Sequence, residues 1–274
     1  MSVTERYFFT TALEADRETL RAARALAERY GLPFVPRKKR SLRSLVEERQ
    51  ADGAFVYGAD GLRLVDSDGG ETRFHPGTAA VRIKRLRAGE TDPMVEFARL
   101  AAGDRVLDAT AGLLHDALVA AYAVGPEGEV VAVEKSLPLY ILSDAAVRRP
   151  PDHPPAVREA LRRIRLVHGD HRAVLEAMPA RSVDVVLFDP MFRRPVARSL
   201  TSNRPLYRFG APDSLSPEAY RAALRVARKA VVVKERPEAE VFRRFGLEVL
   251  PRKASFTFGR RLVGAAAVPE GERR

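Results

Sequence analysis

The sequence predicts an α/β protein: a largely parallel sheet with helices on both faces, preceded by a small N-terminal α/β domain. Three observations carry this. Short apolar runs alternate with helix-like patterns from about residue 91 to the end of the chain, the signature of strand–helix–strand units that close a parallel sheet. Several of those runs end in a carboxylate. A basic stretch at 82–87 separates them from a smaller, differently ordered segment.

The small segment opens with Arg6–Ala12, which reads as a strand. Ala15–Tyr30 then places Leu20, Ala23, Leu26 and Ala27 at helical spacing until Gly31 and Pro33 stop it. After Pro33–Pro36 come the basic run Arg37, Lys38, Lys39 and Arg40, a Ser41 N-cap and a short helix through Glu48. Two strands follow, Gly53–Gly58 and Leu62–Asp66, joined by the turn Ala59–Asp60–Gly61, for an order of β-α-β-α-β-β. The pattern weakens from Arg73 to Asp92, through Phe74-His75-Pro76-Gly77 and a partly helical connector, Arg82–Arg87. The expected domains are therefore 1–90 and 91–274.

Beyond the connector the expected strands are Arg105–Asp108, Glu129–Glu134, Ile164–His168, Val183–Phe188 and Ala230–Lys234, with two more at the C-terminus. The expected helices are His115–Ala123, Pro138–Arg148, one reaching Arg163 after a proline-rich interruption, Ala173–Ala177, Pro217–Lys229 and Pro237–Phe245.

Composition narrows the chemistry. The 274 residues are 46% hydrophobic, enough for two domains. No run approaches the roughly 18 to 20 apolar residues of a membrane span, and Met1–Arg6 lacks a leader layout, so a cytoplasmic protein without a membrane partner is expected. With no cysteine, disulfides, zinc–thiolate sites and the thiol nucleophile that methylates pyrimidine carbon 5 are excluded. A net charge of +11 favours a polyanionic partner, because each cation that neutralises a phosphate releases condensed counterions.

Ligands of open parallel sheets bind beyond the carboxyl ends of the strands. Asp108 ends one run and is followed by Ala109, Thr110, Ala111 and Gly112, small residues that admit a ligand close to the backbone. Glu134 ends the next run, at the place where an acid meets ribose hydroxyls. Asp170 follows the third, where it can accept from an adenine amine. NAD stays open on these residues. The turn lacks the G-x-G-x-x-G that cradles a pyrophosphate, which favours S-adenosylmethionine, a nucleoside with no pyrophosphate to hold.

Val183–Phe188 ends in Asp189-Pro190-Met191-Phe192. An aspartate and a proline carbonyl side by side can accept both hydrogens of an exocyclic NH2 and turn its lone pair toward an incoming methyl group, while Phe192 stacks on the base. The next segment is dense in arginine. Arg193, Arg194, Arg198 and Arg204, with Arg37, Lys38, Lys39, Arg40, Arg82, Lys84, Arg85 and Lys234, are the expected nucleic-acid contacts. Lys234 is expected at the mouth of the site, pairing with a carboxylate or holding a phosphate. His168 and His171 flank Gly169–Asp170, but without a third clustered ligand no metal is expected. His75 is expected in a structural turn.

In order and spacing, Asp108–Asp116, Val133-Glu134-Lys135, Val167–Asp170, Asp189–Phe192 and Val231–Lys234 resemble the Rossmann-like class I methyltransferases that modify guanine N2 in small-subunit ribosomal RNA. The resemblance covers roughly Phe74 to Val263. It implies S-adenosylmethionine contacts at His115, Asp116, Glu134, Lys135, Asp170, His171 and Asp189, and ribosomal RNA or a ribosomal subunit as partner. Leu114–His115 departs from the Gly-Arg frequent in that family, and the segment after Phe192 carries arginine where the family has more lysine. The N-terminal segment resembles, more loosely, the α/β half-domain of Brix-type ribosome-biogenesis proteins, through Thr10–Thr11, Pro33–Arg37 and Ser41–Leu45. Two other expectations stand beside the enzyme: an RNA-binding assembly protein that keeps the cofactor pocket without doing chemistry, and a protein methyltransferase.

Overall fold

The computed structural model describes residues 6–190, 215–251 and 254–264. Its N-terminal part is a four-stranded sheet of β1 (Tyr7–Thr11), β2 (Gly53–Gly58), β3 (Gly61–Asp66) and β4 (Glu71–Arg73), in that order. β1 runs parallel to β2, and β3 runs antiparallel to both its neighbours, β2 and β4. Two helices, α1 (Arg17–Arg29) and α2 (Leu42–Glu48), lie between β1 and β2. Each starts on the capping residue that its sequence supplies: Asp16 accepts from the Thr19 amide at 2.7 Å, and Ser41 from the Ser44 amide at 3.0 Å. The order is β-α-α-β-β-β, and Phe34 adds one isolated parallel bridge to Phe9.

The large sheet has seven strands in the order β7-β6-β5-β8-β9-β11-β10. They are β5 (Arg105–Asp108), β6 (Glu129–Glu134), β7 (Ile164–His168), β8 (Val183–Phe188), β9 (Ala227–Glu235), β10 (Glu248–Val249) and β11 (Thr257–Leu262). The first five in the spatial order are parallel, and β11 runs antiparallel to both its neighbours. Burial on both faces accounts for the unbroken apolar runs of β6 and β8. On one face Val106, Val130, Val185, Leu187 and Val232 pack under α3 (Thr78–Arg87), α5 (His115–Val124) and α7 (Pro155–Arg162). On the other, Leu107, Val131, Val186, Phe188 and Val233 pack with α9 (Pro217–Val226) and Phe242 of α10 (Glu240–Arg244). Chain order reverses between β5 and β8, so the carboxyl ends of those two strands flank the switch point.

Several features differ from the expected elements, the N-terminal order β-α-β-α-β-β among them, because the segment at Phe34 makes only an isolated bridge and not a strand between α1 and α2. α4 (Pro93–Ala98) and β4 were not anticipated, although Asp92 before Pro93 is a helix-start pair and does cap α4, accepting from the Met94 and Val95 amides. α3 is a full helix, and Phe74, Ala79 and Ile83 lie in the core of the large sheet, beyond the boundary expected near residue 90. β9 begins at Ala227, where a helix was expected to continue to Lys229. Arg228 donates to the Arg181 carbonyl and Lys229 pairs with Asp104, partners that only the folded chain brings near.

The two sheets share apolar contacts. Tyr7, Phe9, Leu32, Phe55 and Leu64 form one cluster with Leu139, Ile141 and Leu142 of α6 (Leu137–Arg148), and the Tyr30 hydroxyl donates to Asp144 at 2.9 Å. Phe9 sits at the centre of this junction, fully buried and stacked on Phe55 at 5.0 Å. Phe9→Ala is expected to lower unfolding free energy by about 3–5 kcal/mol, whereas Leu13→Ala, at an exposed site, changes it by less than about 0.5 kcal/mol. Urea titration of both variants checks the contrast; equal, small effects would show that the junction is not packed.

Candidate active site

The carboxyl ends of β5 and β8 are stitched together by one threonine. Asp108 pairs with Leu187 in the parallel register, and the Ala109 amide donates to the Leu187 carbonyl at 2.9 Å. The Thr110 amide donates to Asp108 Oδ1 at 3.1 Å, while its hydroxyl oxygen accepts from the Asp189 amide at 2.6 Å. Asp108 is 2% exposed. Burial, reinforced by the charges of Asp116 and Asp189, pushes its carboxyl up to about 8, against the Thr110 amide and Lys234, so it is largely protonated at neutral pH.

The turn that leaves β5 is held from the neighbouring strand. The Ala111 amide donates to the Val133 carbonyl, and the Gly112 amide to Glu134 Oε2 at 2.7 Å; Glu134 Oε1 accepts from the Ser136 amide at 2.6 Å. Burial raises the Glu134 carboxyl above its ordinary range although these amides oppose it. Gly112 has φ of +51° and Leu114 of +65°, so this turn places a non-glycine residue in the left-handed region immediately before α5. His115, the first residue of α5, donates through Nε2 to the His75 carbonyl at 3.0 Å. A Cβ at Gly77 would stand 2.8 Å from that nitrogen, and Gly77 itself has φ of +52°. His75 Nδ1 accepts from the Gly77 amide at 2.9 Å, so His75 does shape a turn.

Asp170 caps α8 (His171–Ala177), accepting from the Arg172 amide at 2.9 Å. Its carboxylate also meets the Arg172 guanidinium at 2.6 Å and Lys135 at 3.2 Å. Arg172 and Lys135 hold it well below the usual carboxylate range. His171 is buried edge-on to Phe188 at 5.8 Å, and His168 stacks on Tyr140 at 4.8 Å.

A chain of alternating charges runs into the site from behind. Arg82 on α3 makes a two-point contact with Asp92, Nε to Oδ2 at 2.7 Å and Nη2 to Oδ1 at 2.8 Å, and its Nη1 donates to Asp116 Oδ1 on α5. Asp116 Oδ2 accepts from Lys234 Nζ at 3.0 Å, and the same ammonium donates to Asp189 Oδ2 at 2.6 Å. Burial alone would raise the Asp116 carboxyl, but Lys234 and Arg82 outweigh it and hold it well below the ordinary value. Burial likewise disfavours the Lys234 cation; Asp116 and Asp189 reverse that and raise it above its ordinary value. Asp189 is raised, by burial first and then by Asp116, with Lys234 opposing.

The expected site residues therefore divide. Asp108, Ala109, Thr110, Gly112, His115, Asp116, Glu134, Asp189 and Pro190 come together around the β5–β8 switch point and the turn into α5. Lys135, Asp170 and His171 stand beyond β6 and β7. Arg82, expected to meet nucleic acid, instead spends its donors on the internal charge chain, and Lys234, expected either to pair with a carboxylate or to hold a phosphate, pairs with two carboxylates. Lys38 and Lys39 are exposed, Arg37 is tied to the Arg40 carbonyl, Arg40 pairs with Glu48, Lys84 is exposed and Arg85 pairs with Glu90. Met191, Phe192, Arg193, Arg194, Arg198 and Arg204 lie outside the described residues. Sequence reasoning missed Asp92; the Asp92–Pro93 pair marks its capping role, but nothing local marks Arg82 as its partner.

The perturbed Asp108 has a consequence for stability. The folded carboxyl keeps its proton up to about pH 8, whereas an unfolded aspartate releases it near pH 4. Between those values the unfolded chain binds fewer protons, so this group makes stability fall as pH rises. Asp108→Asn, which mimics the protonated acid, is expected to gain on the wild type by up to about 1.4 kcal/mol per pH unit between pH 5 and 8. Urea midpoints at pH 5, 6.5 and 8 measure this; parallel curves for the two proteins would refute it.

Comparison with known proteins agrees with this geometry. A family model of SAM-dependent methyltransferases (SAM_MT) matches residues 40–246. The chain is 35% identical over 251 residues to the uncharacterised YpiP of Bacillus subtilis, covering 91% of this chain and 97% of that one. It is 34% identical over 242 residues to ribosomal RNA small subunit methyltransferase J of Pseudomonas paraeruginosa, covering 84% and 85%. Among solved structures, a SAM-dependent methyltransferase from Neisseria gonorrhoeae superposes with a TM-score of 0.59 at 19% identity, over 97% of this chain and 99% of that one, which supports the fold. The chain belongs to the family of SAM-dependent methyltransferases, and S-adenosylmethionine is its cofactor.

Proposed function

We propose that this methyltransferase acts on an exocyclic amine of an RNA base, and that the base is guanine, methylated at N2 in small-subunit ribosomal RNA. The observation that carries the reading is the corner at Asp189 and Pro190, which leaves β8 beside the β5 turn and is bound to it through Thr110. The curated relative from Pseudomonas paraeruginosa, named as a small-subunit ribosomal RNA methyltransferase, supports the choice of substrate. The net charge of +11 is in keeping with a phosphate-rich partner.

The donor set suits the cofactor. Besides its carboxylate, S-adenosylmethionine presents an ammonium, a sulfonium, a ribose diol and an adenine amine, cations or hydrogen-bond donors for which the strand ends here present acceptors. Asp108, Ala109, Thr110, Gly112, His115 and Asp116 would line the amino-acid end. Glu134 would take the ribose hydroxyls through the lone pairs left by the Gly112 and Ser136 amides. Lys135, Asp170 and His171 would border the adenine; the Arg172 contact on Asp170 involves a half-exposed guanidinium and costs little to rearrange, about 0–1 kcal/mol.

When bound, the cofactor supplies an electrophilic methyl group on sulfur. The residues of the chain then have a positional task. Asp189 and the Pro190 carbonyl would accept from the two amine hydrogens, which turns the nitrogen lone pair toward the methyl carbon, and Phe192, with Met191 beside it in the motif, would supply the ring that stacks on the base. Transfer would leave the nitrogen cationic, and the Asp189 carboxylate, already accepting one of its hydrogens, would take that proton and pass it to water. Lys38, Lys39, Lys84 and the arginines at 193, 194, 198 and 204 would meet the phosphates.

Asp189→Ala is expected to lower methyl incorporation into ribosomal RNA by at least about 10²-fold, while calorimetry shows cofactor affinity changed only modestly. Undiminished incorporation would rule out the corner as the amine site, and cofactor and RNA binding without incorporation by the wild type would favour the non-catalytic assembly role. Neutralising Lys38 and Lys39 together is expected to reduce the slope of log affinity against log salt by about 2 if both meet phosphates. An unchanged slope removes the 37–40 run from the RNA surface.

A further inference from the structure

We propose that Lys234 is a positioning residue for methyl transfer: anchored by Asp116 and Arg82, its ammonium grips one oxygen of Asp189 and keeps that side chain an acceptor for the target amine. The inference rests on the reading above, which makes Asp189 the amine acceptor.

The geometry is specific. Val233 pairs with Phe188 in the parallel register of β9 and β8, so Lys234 and Asp189 leave adjacent strands side by side. Lys234 Nζ reaches Asp189 Oδ2 at 2.6 Å. Among the described residues no side chain binds the second oxygen, Oδ1, which is the one left to take an amine hydrogen. A protonated carboxyl would offer a hydroxyl there in place of an acceptor, so the ionised form is the working one. The surroundings oppose it. Besides Lys234, the charged groups facing Asp189 are Asp108 on β5, Asp116 on α5, Glu235 on β9 and, more distantly, Arg82 on α3. Most of these are acids, Asp108 in its largely protonated form, so among the described residues Lys234 is the nearest cation that favours ionisation.

The lysine has little room to leave. Its side chain is 15% exposed and its ammonium lies 4.9 Å from the centre of the Phe256 ring. Its second partner, Asp116, is held from the other side by Arg82, whose remaining donors clasp Asp92 at the cap of α4. A lysine that merely stapled β9 to α5 would need Asp116 alone. The contact to Asp189 is the shorter of the two and points into the corner.

The test uses the full-length protein with Lys234→Met and Lys234→Arg, labelled cofactor and ribosomal RNA lacking the modification. Single-turnover rates are followed across pH, and the Asp189 carboxyl is titrated by carbon NMR, assigned by its loss in Asp189→Asn. Lys234→Met is expected to slow transfer by about 10²-fold or more at pH 6.5. Its acid limb and the Asp189 titration should both move to higher pH, cofactor affinity should change less than about threefold, and Lys234→Arg should restore much of the rate. If Lys234→Met does not fold, Lys234→Gln, which keeps a hydrogen bond without the charge, carries the same comparison. A folded uncharged variant with an unmoved acid limb and an unmoved Asp189 titration reduces Lys234 to a structural staple and overturns the proposal. Failure of the wild type to methylate RNA would instead defeat the substrate reading, and the Asp189 titration would still decide the role of the lysine.

Discussion

The site depends on a row of charges largely taken out of water, Asp92, Arg82, Asp116 and Lys234, ending at the partly exposed Asp189, each touching the next. Desolvating so many ions is expensive, and a buried ion pair is poor evidence of net stability, because apolar replacements of the whole set are often as stable. What such a row does supply is geometry. The three inner members each bridge two neighbours, so the row ties together α3, the cap of α4, the start of α5 and the ends of β8 and β9. Removing one member leaves another charge buried without its partner, which costs about 3–5 kcal/mol.

The same row links the turn proposed to hold the cofactor to the corner proposed to hold the target amine. Asp116 belongs to the turn and helix that follow β5, where the cofactor is proposed to lie, and Asp189 belongs to the corner after β8. They are joined twice, by Lys234 between the two carboxylates and by Thr110 between Asp108 and the Asp189 amide. A methyl transfer gains most from fixed distance and direction between nitrogen, carbon and sulfur. Two independent ties across one strand gap are a direct way to provide it.

The small N-terminal sheet is part of this frame. It packs on α6 through Phe9, Phe55, Leu139 and Leu142, and α6 in turn packs on β7 and returns the Ser143 hydroxyl to the Gly112 carbonyl at the cofactor turn. The basic run at 37–40 is thereby carried on the same packed body as the β5 turn, with Lys38 and Lys39 in left-handed conformations that keep them at the surface.

Much of the framework was legible in the chain itself. Apolar runs of two to four residues followed by an acid, Val106–Leu107, Val130–Val133 and Val185–Phe188, located β5, β6 and β8, because the central positions of strands buried on both faces are apolar. The small residues after Asp108, the acids Glu134 and Asp170, and the Asp189–Pro190 corner could be named from spacing, since the carboxyl edge of a parallel sheet is where such residues must stand. What the chain could not show was which charges would be spent on each other. Arg82 sits 34 residues from Asp116 and Lys234 sits 118 from it; in sequence Arg82 reads as a surface cation, and Lys234, placed at the mouth of the site, has no acid assigned to it. Only the folding of α3 over α5 and the insertion of β9 beside β8 take them out of solvent, and once there a cation has no stable choice but the nearest buried acid.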